Sequence, residues 1–525
     1  MLAPGRFDVN RCETSIEQGA YARILYLQLI AQYWIDFMGD ETMKHPNIVV
    51  VVMDTARAKD TVPADPSITP TLADLADDGI AYTNTFSSAP WTLPSHASMF
   101  TGTYASRHGA HGGHTYLDEG FITLAEALSG AGYQTVGISN NTWITEEFGF
   151  ARGFETFHKT WQFIQSETDL GEVTRAEHAR WKARAFLSRV FSGNPIVNGA
   201  NAVYDQYFRT NHDDGAGHTT EWLADWLTER EDDRPFFCFG NYIEPHIEYR
   251  PPREYAERFL PEGQYEKAME IRQDPRAYDV GEYEISDEEF ELLAGLYRGE
   301  LAYLDSKLGE LRGALEASGE WEDTVLVVCG DHGENVGDHG FLGHQYNVYD
   351  SLLHVPLVIH GDAFEPAVDE DELVQLLDLF PTLLDLATVD TPDARAQSQG
   401  RSLLACDPPR ESVFAEYVSP QPSMEQLEER FGEIPDYMYE YDRSFRAVRT
   451  DEYKYIRGSD ESEQLYDIEQ DSDERFDLAS TEPDIAADLA ADLTEWSDSF
   501  EHTERDGEID MAEGTKDRLR DLGYL

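Results

Sequence analysis

Apolar residues occur along the chain as short continuous runs that alternate with amphipathic stretches. The runs NIVVVVMD (47–54), PFFCFGNY (235–242), DTVLVVCGDHG (323–333) and VPLVIHG (355–361) are typical of strands buried on both faces of a sheet. Helical patterns that end at glycine lie between them, and the longest covers residues 290–319. This alternation predicts an α/β fold in which helices sandwich a large, mainly parallel or mixed sheet.

The pattern changes near residue 405. Beyond it, RAVRTDEYKYIRG and EQLYDIEQD are typical of a short hairpin-rich sheet, and PDIAADLAADLTEWSDSF is typical of a helix. We therefore expect an N-terminal extension (1–45), a large α/β domain (46–404) and a smaller α+β subdomain with a tail (405–525). The irregular stretch 160–235 inside the large domain is predicted to be an insertion or a lid.

The charge of the chain is strongly negative, with 102 acidic residues against 40 basic ones and a net charge of −62. The acidic residues do not form blocks, and the 41% hydrophobic content is sufficient for a packed interior. These features predict a folded protein with an acidic surface, as in salt-loving organisms. Such a surface repels nucleic acid and anionic membranes, so we expect neither as a partner.

The N-terminal region carries no recognisable targeting signal. It lacks a basic segment followed by a long apolar run, and it has no twin arginine, which predicts a cytoplasmic protein. The apolar segment 22–38 contains Gln and Asp and is too short for stable membrane insertion. It is interpreted either as an amphipathic helix that docks on the body or as sequence upstream of a true start at Met43.

Polar side chains follow two of the predicted buried strands at the point where each strand ends. Asp54 follows the first strand, and Asp331 and His332 follow the strand that begins near residue 324. Each of the three alone has a simpler interpretation, as a helix cap or a turn residue. Chemistry in open α/β sheets gathers at the carboxyl ends of strands, however, and carboxylates with an imidazole suit a divalent cation.

A set of motifs occurs in a characteristic order. NIVVVVMDTAR is followed by TLPSHASMFTGTYASRHG, NYIEPHIEYRPP, CGDHGENVGDHGFLGHQYNVYDSLLHVPLVIHG, DLFPTLLDLA, FRAVRTDEYKYI, EQLYDIEQD and a closing LRDLGYL. Together they resemble the sulfatase family of the alkaline-phosphatase superfamily, over roughly residues 46–525. The resemblance implies an alkaline-phosphatase-like fold and hydrolysis of sulfate or phosphate-type esters of a small molecule or a glycan.

The resemblance also implies the ligands of one divalent cation. Asp54 matches the first ligand of the family, and Asp331 and His332 match the later pair. Many members have aspartate at the position of Thr55 and asparagine at the position of His332, and both departures resemble the phosphonate-hydrolase-like branch. Calcium, magnesium, manganese and zinc all remain candidates, although the imidazole favours manganese or zinc.

The nucleophile position is the main departure from the family pattern. The family signature begins with the cysteine or serine that is oxidised to formylglycine, whereas this chain reads Thr92-Leu93-Pro94-Ser95-His96. Threonine has no route to the aldehyde, so no formylglycine is expected. The Thr92 hydroxyl is instead predicted to act as the nucleophile, aimed by the cation, although a helix-capping role alone would also place threonine there.

The remaining predicted site residues are histidines and arginines. His246 matches a family histidine near the transferred group, His344 stands where many members have lysine, and His96 replaces the usual arginine of the signature. Because the substrate is anionic, Arg57 and Arg107 are expected to make the pocket locally positive.

Three further histidines, His108, His111 and His114, lie three residues apart on a glycine-rich stretch. Their spacing allows a zinc cluster, but a rim or turn role is the simpler interpretation.

Three functions fit these residues. The first is a metal-dependent hydrolase of sulfate or phosphate-type esters that uses Thr92 as its nucleophile. A threonine ester can be cleaved only by attack of water on sulfur or phosphorus, which favours phosphate-type esters, whereas the family resemblance favours sulfate esters. A transferase that passes the phosphoryl-linked group to an alcohol would use the same residues. A catalytically silent binding protein is the third alternative, and the retained ligands Asp54, Asp331 and His332 argue against it.

The charge generates a prediction about stability. Since the net charge of −62 is self-repelling and the Debye length at 1 M salt is only about 3 Å, the thermal midpoint should be highest above about molar KCl or NaCl. Thermal melts recorded from low to molar salt measure this directly. An unchanged midpoint across that range would contradict the interpretation of the surface as halophilic.

Overall fold

The structure, a computed structural model, describes residues 45–160, 215–369, 372–405 and 408–503. In chain order the described strands are β1 (Asn47–Met53), β2 (Ile80–Tyr82), β3 (Thr85–Phe86), β4 (Gln134–Ser139), β5 (Thr156–Lys159), β6 (Phe236–Tyr242), β7 (Thr324–Gly330), β8 (Asn335–Val336), β9 (Leu342–Gly343), β10 (Leu357–His360), β11 (Ala367–Asp369), β12 (Val374–Gln375), β13 (Val413–Tyr417), β14 (Phe445–Arg449), β15 (Tyr453–Gly458) and β16 (Glu463–Asp467).

The described helices are α1 (Pro70–Asp78), α2 (Thr92–Thr101), α3 (Ala105–His108), α4 (Leu124–Gly130), α5 (Ala216–Glu229), α6 (Arg253–Ala256), α7 (Tyr265–Met269), α8 (Pro275–Asp279), α9 (Asp287–Ser318), α10 (Asp350–Leu353), α11 (Leu379–Leu386), α12 (Pro392–Gln397), α13 (Met424–Phe431) and α14 (Pro483–Asp498). The longest, α9, begins with a capping box between Ser286 and Glu289 and ends at Gly319, whose φ of 78° suits glycine.

Eight strands form the main sheet in the order β11-β2-β10-β7-β1-β6-β4-β5. The block from β7 to β5 is parallel throughout, whereas β10 runs antiparallel to both of its neighbours. The predicted large α/β fold with a mainly parallel or mixed sheet is therefore confirmed.

Helices cover both faces of this sheet, and the central strand β1 shows why. All seven of its residues are buried. Ile48, Val50 and Val52 pack into a cluster with residues of α2, α4 and α11. Val49 and Val51 face the opposite side, where they join apolar residues of α1, α5 and α9. A strand with a helical layer on each face needs no polar position, which explains its continuous apolar sequence.

The smaller C-terminal sheet is antiparallel in the order β13-β14-β15-β16. Helix α14 packs against it through Leu489, Leu493 and Trp496. This arrangement confirms the predicted α+β subdomain.

Three predictions extend beyond the described residues. Part of the predicted insertion, residues 216–229, is helix α5, which packs with α9 through Leu223 and Leu227 and belongs to the helical layer. Three segments lie outside the described residues: the rest of the insertion up to residue 214, the N-terminal extension up to residue 44, and the tail after residue 503. The boundary placed at residue 405 stays a prediction.

The pattern of residues 372–387 predicts one helix interrupted at Pro381, and the structure differs. Val374 and Gln375 form strand β12, a short 3-10 turn follows, and α11 begins only at Leu379. Pro381 lies in the first turn of that helix, where the missing amide hydrogen breaks no helical bond.

None of the helices in the described part of the chain combines the length and the apolar composition that a membrane crossing requires.

A buried ion-pair network joins strand β15 to helix α10. Lys454 on β15 is fully buried, and its Nζ lies 2.6 Å from Asp350 Oδ1 and 2.8 Å from Glu474 Oε1. Burial raises the pKa of Glu474 to about 7, although Lys454 opposes that shift. Arg449 Nε also lies 3.3 Å from Asp350 Oδ2, so Lys454 is the cation that the two carboxylates share.

Replacement of that ammonium should be strongly destabilising. Lys454→Met leaves the buried Glu474 carboxylate without its cation and Asp350 with Arg449 alone, so we expect the free energy of unfolding to fall by about 3–5 kcal/mol. Denaturant titration measures the loss. Arg475→Met breaks an exposed pair with Asp473 and should cost under about 1 kcal/mol. Equal losses in the two variants would contradict the importance of the buried network.

Candidate active site

Two carboxylates and an imidazole meet at the carboxyl edge of the main sheet. Strands β1 and β7 are parallel neighbours with Met53 opposite Gly330, so Asp54 and Asp331 leave the sheet side by side. One ligand atom each from Asp54, Asp331 and His332 lies within 4.8 Å of the others, and all three residues are buried. The structure thus brings the three predicted ligands together.

Each carboxylate has one oxygen engaged by the protein. Asp54 Oδ2 accepts a hydrogen bond from Asn141 Nδ2 at 2.7 Å, and Asp331 Oδ1 accepts from the backbone amides of Thr55 and His332. No described residue donates a hydrogen bond to Asp54 Oδ1 or Asp331 Oδ2. His332 Nε2 lies 4.0 Å from the first of these oxygens and 3.4 Å from the second. Two bare carboxylate oxygens face the same imidazole nitrogen.

The electrostatics of this cluster fit a bound cation. Burial, together with the neighbouring Asp331, raises the pKa of Asp54 well above its usual value, and burial raises the pKa of Asp331 to about 7. Burial holds the pKa of His332 well below its usual value. The Nδ1 atom of His332 donates to the Gly333 carbonyl at 2.9 Å, which leaves Nε2 unprotonated as a metal ligand must be.

Thr92 is the first residue of α2 and is fully buried. Its Oγ1 lies 3.2 Å from His332 Nε2 and 3.4 Å from Asn141 Nδ2. Trp91, directly before it, is extended and provides no side-chain cap for the helix. The predicted nucleophile therefore lies within the ligand cluster.

His96 supports this arrangement from inside the helix. Its Nδ1 donates to the Thr92 carbonyl at 3.0 Å and lies 3.4 Å from Asp331 Oδ2. Its ring packs edge-on against Phe150 and Phe239, and burial lowers its pKa to about 4. A neutral imidazole thus stands where the family carries a permanently charged arginine.

A second group of side chains adjoins the ligands. The ring of His344 lies 4.6 Å from that of His332 and 5.2 Å from that of His246, measured between centroids. Burial lowers the pKa of His246 to about 4. His344 Nδ1 lies 2.9 Å from Oε1 of the buried Glu334. The structure therefore brings both predicted catalytic histidines to the site.

The two predicted substrate-binding arginines lie elsewhere. Arg57 is buried against Tyr297, and its guanidinium binds Asp60, Asp338 and the Glu334 carbonyl, so it holds the turn after β7 from beneath. Arg107 lines an open cavity of about 720 Å³ next to α14, and no described contact joins it to the ligand cluster. Binding of substrate by either arginine stays a prediction.

The three histidines of the glycine-rich stretch do not form a metal-ligand group within the described residues. His108 uses both ring nitrogens inside the protein, one with Ser98 Oγ and one with the Ala110 amide. His111 and His114 pair through their backbones in a turn. The turn role is the arrangement that the structure shows.

Two functional residues escaped the sequence reasoning. Asn141 follows β4 at the same sheet edge as Asp54. A polar residue directly after an apolar strand was the sequence signal that could have placed it at the site. Glu334 lies two positions after His332 inside a motif already singled out, but nothing local indicates that it meets His344 ten residues later.

Comparison with known proteins shows the family to which the chain belongs. The family model described as Sulfatase matches residues 46–389, and the one described as N-sulphoglucosamine sulphohydrolase, C-terminal, matches residues 337–499. The chain belongs to the sulfatase family, and it is an ester hydrolase of that family.

The individual similarities are distant but nearly full length. The chain is 26% identical to the uncharacterized sulfatase YidJ of Escherichia coli (strain K12), over 83% of each chain. It is 25% identical to the choline-sulfatase of Rhizobium meliloti (strain 1021), again over 83% of each. The crystal structure of phosphonate monoester hydrolase of Agrobacterium radiobacter superposes with a TM-score of 0.63 at 20% identity, over 86% of this chain and 95% of the other.

The ligand cluster generates a prediction about metal content. Sulfatases normally hold a metal ion, and the described residues provide one ligand group, so purified protein should hold about one divalent cation per chain. Asp331→Ala should lose it, whereas Asp65→Ala, at a half-buried loop carboxylate that pairs with Ser67, should not. Elemental analysis that finds two cations, both lost in Asp331→Ala, would contradict a single site.

The affinity of this site should depend on pH. Because a carboxylate binds a cation only when deprotonated, and the pKa of Asp331 is raised to about 7, cation affinity should increase as the pH rises through 7. Calorimetric titration of metal-stripped protein at several pH values measures both the affinity and the protons released. Affinity that is independent of pH would contradict the raised pKa.

Proposed function

We propose that the protein is a metal-dependent hydrolase of sulfate or phosphate-type esters in which the Thr92 hydroxyl is the nucleophile. The observation that carries the proposal is the position of Thr92 Oγ1, buried at the start of α2 and 3.2 Å from His332 Nε2 within the ligand cluster. Nucleophile, cation ligands and helix N-terminus converge there, and each of them favours an anionic group.

The proposed residues divide the work as follows. Asp54, Asp331 and His332 would hold the cation, which would lower the pKa of the Thr92 hydroxyl and neutralise charge on the ester. The Thr92 oxygen, deprotonated to the alkoxide, attacks sulfur or phosphorus as the bond to the leaving oxygen breaks. His344 or His246, in its imidazolium form, gives the leaving oxygen its proton. Water then attacks the same central atom of the threonine ester and returns a proton to that histidine, which releases the inorganic acid and restores the Thr92 alkoxide.

Threonine at this position bears on the ester class. A formylglycine hydrate can expel sulfate from its own carbon, whereas a threonine ester must be cleaved at sulfur or phosphorus. Water attack at phosphorus is the easier reaction, which favours phosphate, phosphodiester or phosphonate esters. The similarity to a choline-sulfatase and to an ulvan-active sulfatase of Formosa agariphila favours small-molecule or glycan sulfates. Both classes therefore belong in the first substrate panel.

Substitution of the nucleophile is the direct test. Thr92→Val keeps the shape and removes the oxygen, so turnover should fall by roughly three orders of magnitude or more, while the cation remains bound by its other three ligands. Thr92→Ser keeps a hydroxyl and should retain part of the activity. Turnover is measured on 4-nitrophenyl sulfate, phosphate, phosphodiester and phosphonate at molar salt with several divalent ions.

One control makes this result interpretable. Thr83→Val changes a threonine of the same type outside the site, where its hydroxyl contacts the Asp369 carbonyl, and should leave turnover unchanged. Near-native activity of Thr92→Val on the best substrate would contradict the nucleophile assignment. Activity of the native protein on none of the esters would favour the binding-protein alternative.

A further inference from the structure

Glu334 is a buried carboxylate that connects both histidine-bearing loops. Its Oε1 lies 2.9 Å from His344 Nδ1, and both side chains are almost completely buried. Its Oε2 lies 3.4 Å from the amide nitrogen of Ile247, directly after His246. One carboxylate thus contacts the loop that carries His344 and the loop that carries His246.

Glu334 is itself held in place from beneath. Arg57 Nη1 donates to the Glu334 carbonyl at 3.1 Å. The same guanidinium is fixed by ion pairs with Asp60 and Asp338 at 2.6 and 3.0 Å. The carboxylate therefore projects from a turn that cannot easily shift, because His332 begins the turn and Arg57 anchors it.

The contact with His344 determines which ring nitrogen faces the site. A carboxylate only accepts hydrogen bonds, so the His344 nitrogen beside it, Nδ1, carries a proton. Nε2 then lies on the opposite side of the ring, and the ring adjoins those of His332 and His246. Without Glu334 the ring could rotate or adopt the other tautomer.

We propose that Glu334 is a positioning residue that holds the His344 ring through Nδ1–H, so that the imidazolium form of His344 gives its second proton, on Nε2, to the leaving oxygen and is left as the Nδ1–H tautomer. The proposal rests on the ester hydrolysis proposed above and singles out His344 as the proton donor. The Nε2–H bond breaks as the leaving oxygen takes the proton, while the Nδ1–H bond to Glu334 stays intact throughout.

The dependence of rate on the leaving group separates this role from a merely structural one. An acidic leaving group such as 4-nitrophenol departs with little help, whereas phenol needs a proton as it leaves. General acid catalysis contributes about 10²-fold or more, so Glu334→Gln should lower kcat/KM by about that factor for the phenyl ester. The loss for the 4-nitrophenyl ester should be under about 10-fold, with kcat rather than KM affected.

Matched variants complete the experiment. Glu248→Gln removes a carboxylate from the His246 loop, but one that pairs with Arg250 at the surface, and it should change neither rate. Glu334→Asp keeps the charge and should show a smaller selective loss, which also covers the case that Glu334→Gln folds poorly. In a His344→Gln background, Glu334→Gln should cause no further selective loss, since the two residues act as one unit.

The outcomes that overturn the proposal are distinct. Equal losses for the phenyl and 4-nitrophenyl esters in Glu334→Gln and Glu334→Asp would show a structural role only. Unchanged rates would show no role. Additive selective losses in the double variant would separate Glu334 from His344. Failure of the Thr92 assignment leaves this comparison readable, because it depends on the leaving oxygen and not on the attacking group.

Discussion

Two carboxylates buried side by side, those of Asp54 and Asp331, are the constraint on which the rest of the structure depends. Both are fully buried at the ends of neighbouring parallel strands. An uncompensated buried charge costs on the order of 3–5 kcal/mol. The surroundings reduce this cost with amide donors, from Asn141 to one carboxylate and from two backbone groups to the other. A cation would supply the remaining compensation. The same negative charge that the fold has to stabilise is therefore the charge that would bind the cation used in the reaction.

The backbone next to Asp54 also helps to stabilise the buried carboxylate of Asp331. Thr55 has a φ of 63°, which is strained for a β-branched residue, and this conformation directs its amide toward Asp331 Oδ1 at 3.1 Å. Its carbonyl accepts a hydrogen bond from the buried Tyr297 at 2.8 Å, which fixes the strained turn. Helix α9, which carries Tyr297 and packs in the hydrophobic layer, thus holds the backbone turn that donates to Asp331.

Much of the fold and of the ligand set could be predicted from the sequence. Strands buried on both faces must be apolar, and polar residues at their carboxyl ends must converge, so Asp54, Asp331 and His332 were predictable, whereas Thr92 followed from the resemblance of its motif to the family signature. The environment of Arg57 was not predictable, because its partner Asp338 lies 281 residues further along the chain and reaches it only through packing. The contact between Glu334 and His344 likewise depends on how a ten-residue loop returns to the site. Residues 372–378 form a strand and a turn because β12 pairs with β3, a tertiary contact that helical periodicity cannot show.

The central claim is that a threonine oxygen forms a covalent bond to sulfur or phosphorus at this electrostatic cluster. The most direct measurement is mass spectrometry of the peptide that contains Thr92, from enzyme quenched in acid at successive times during the first turnover. The account predicts that this peptide transiently gains the mass of one sulfuryl, phosphoryl or phosphonyl group, which also identifies the ester class. A first turnover that forms its full yield of product while the peptide keeps its unmodified mass at every quench time would contradict it.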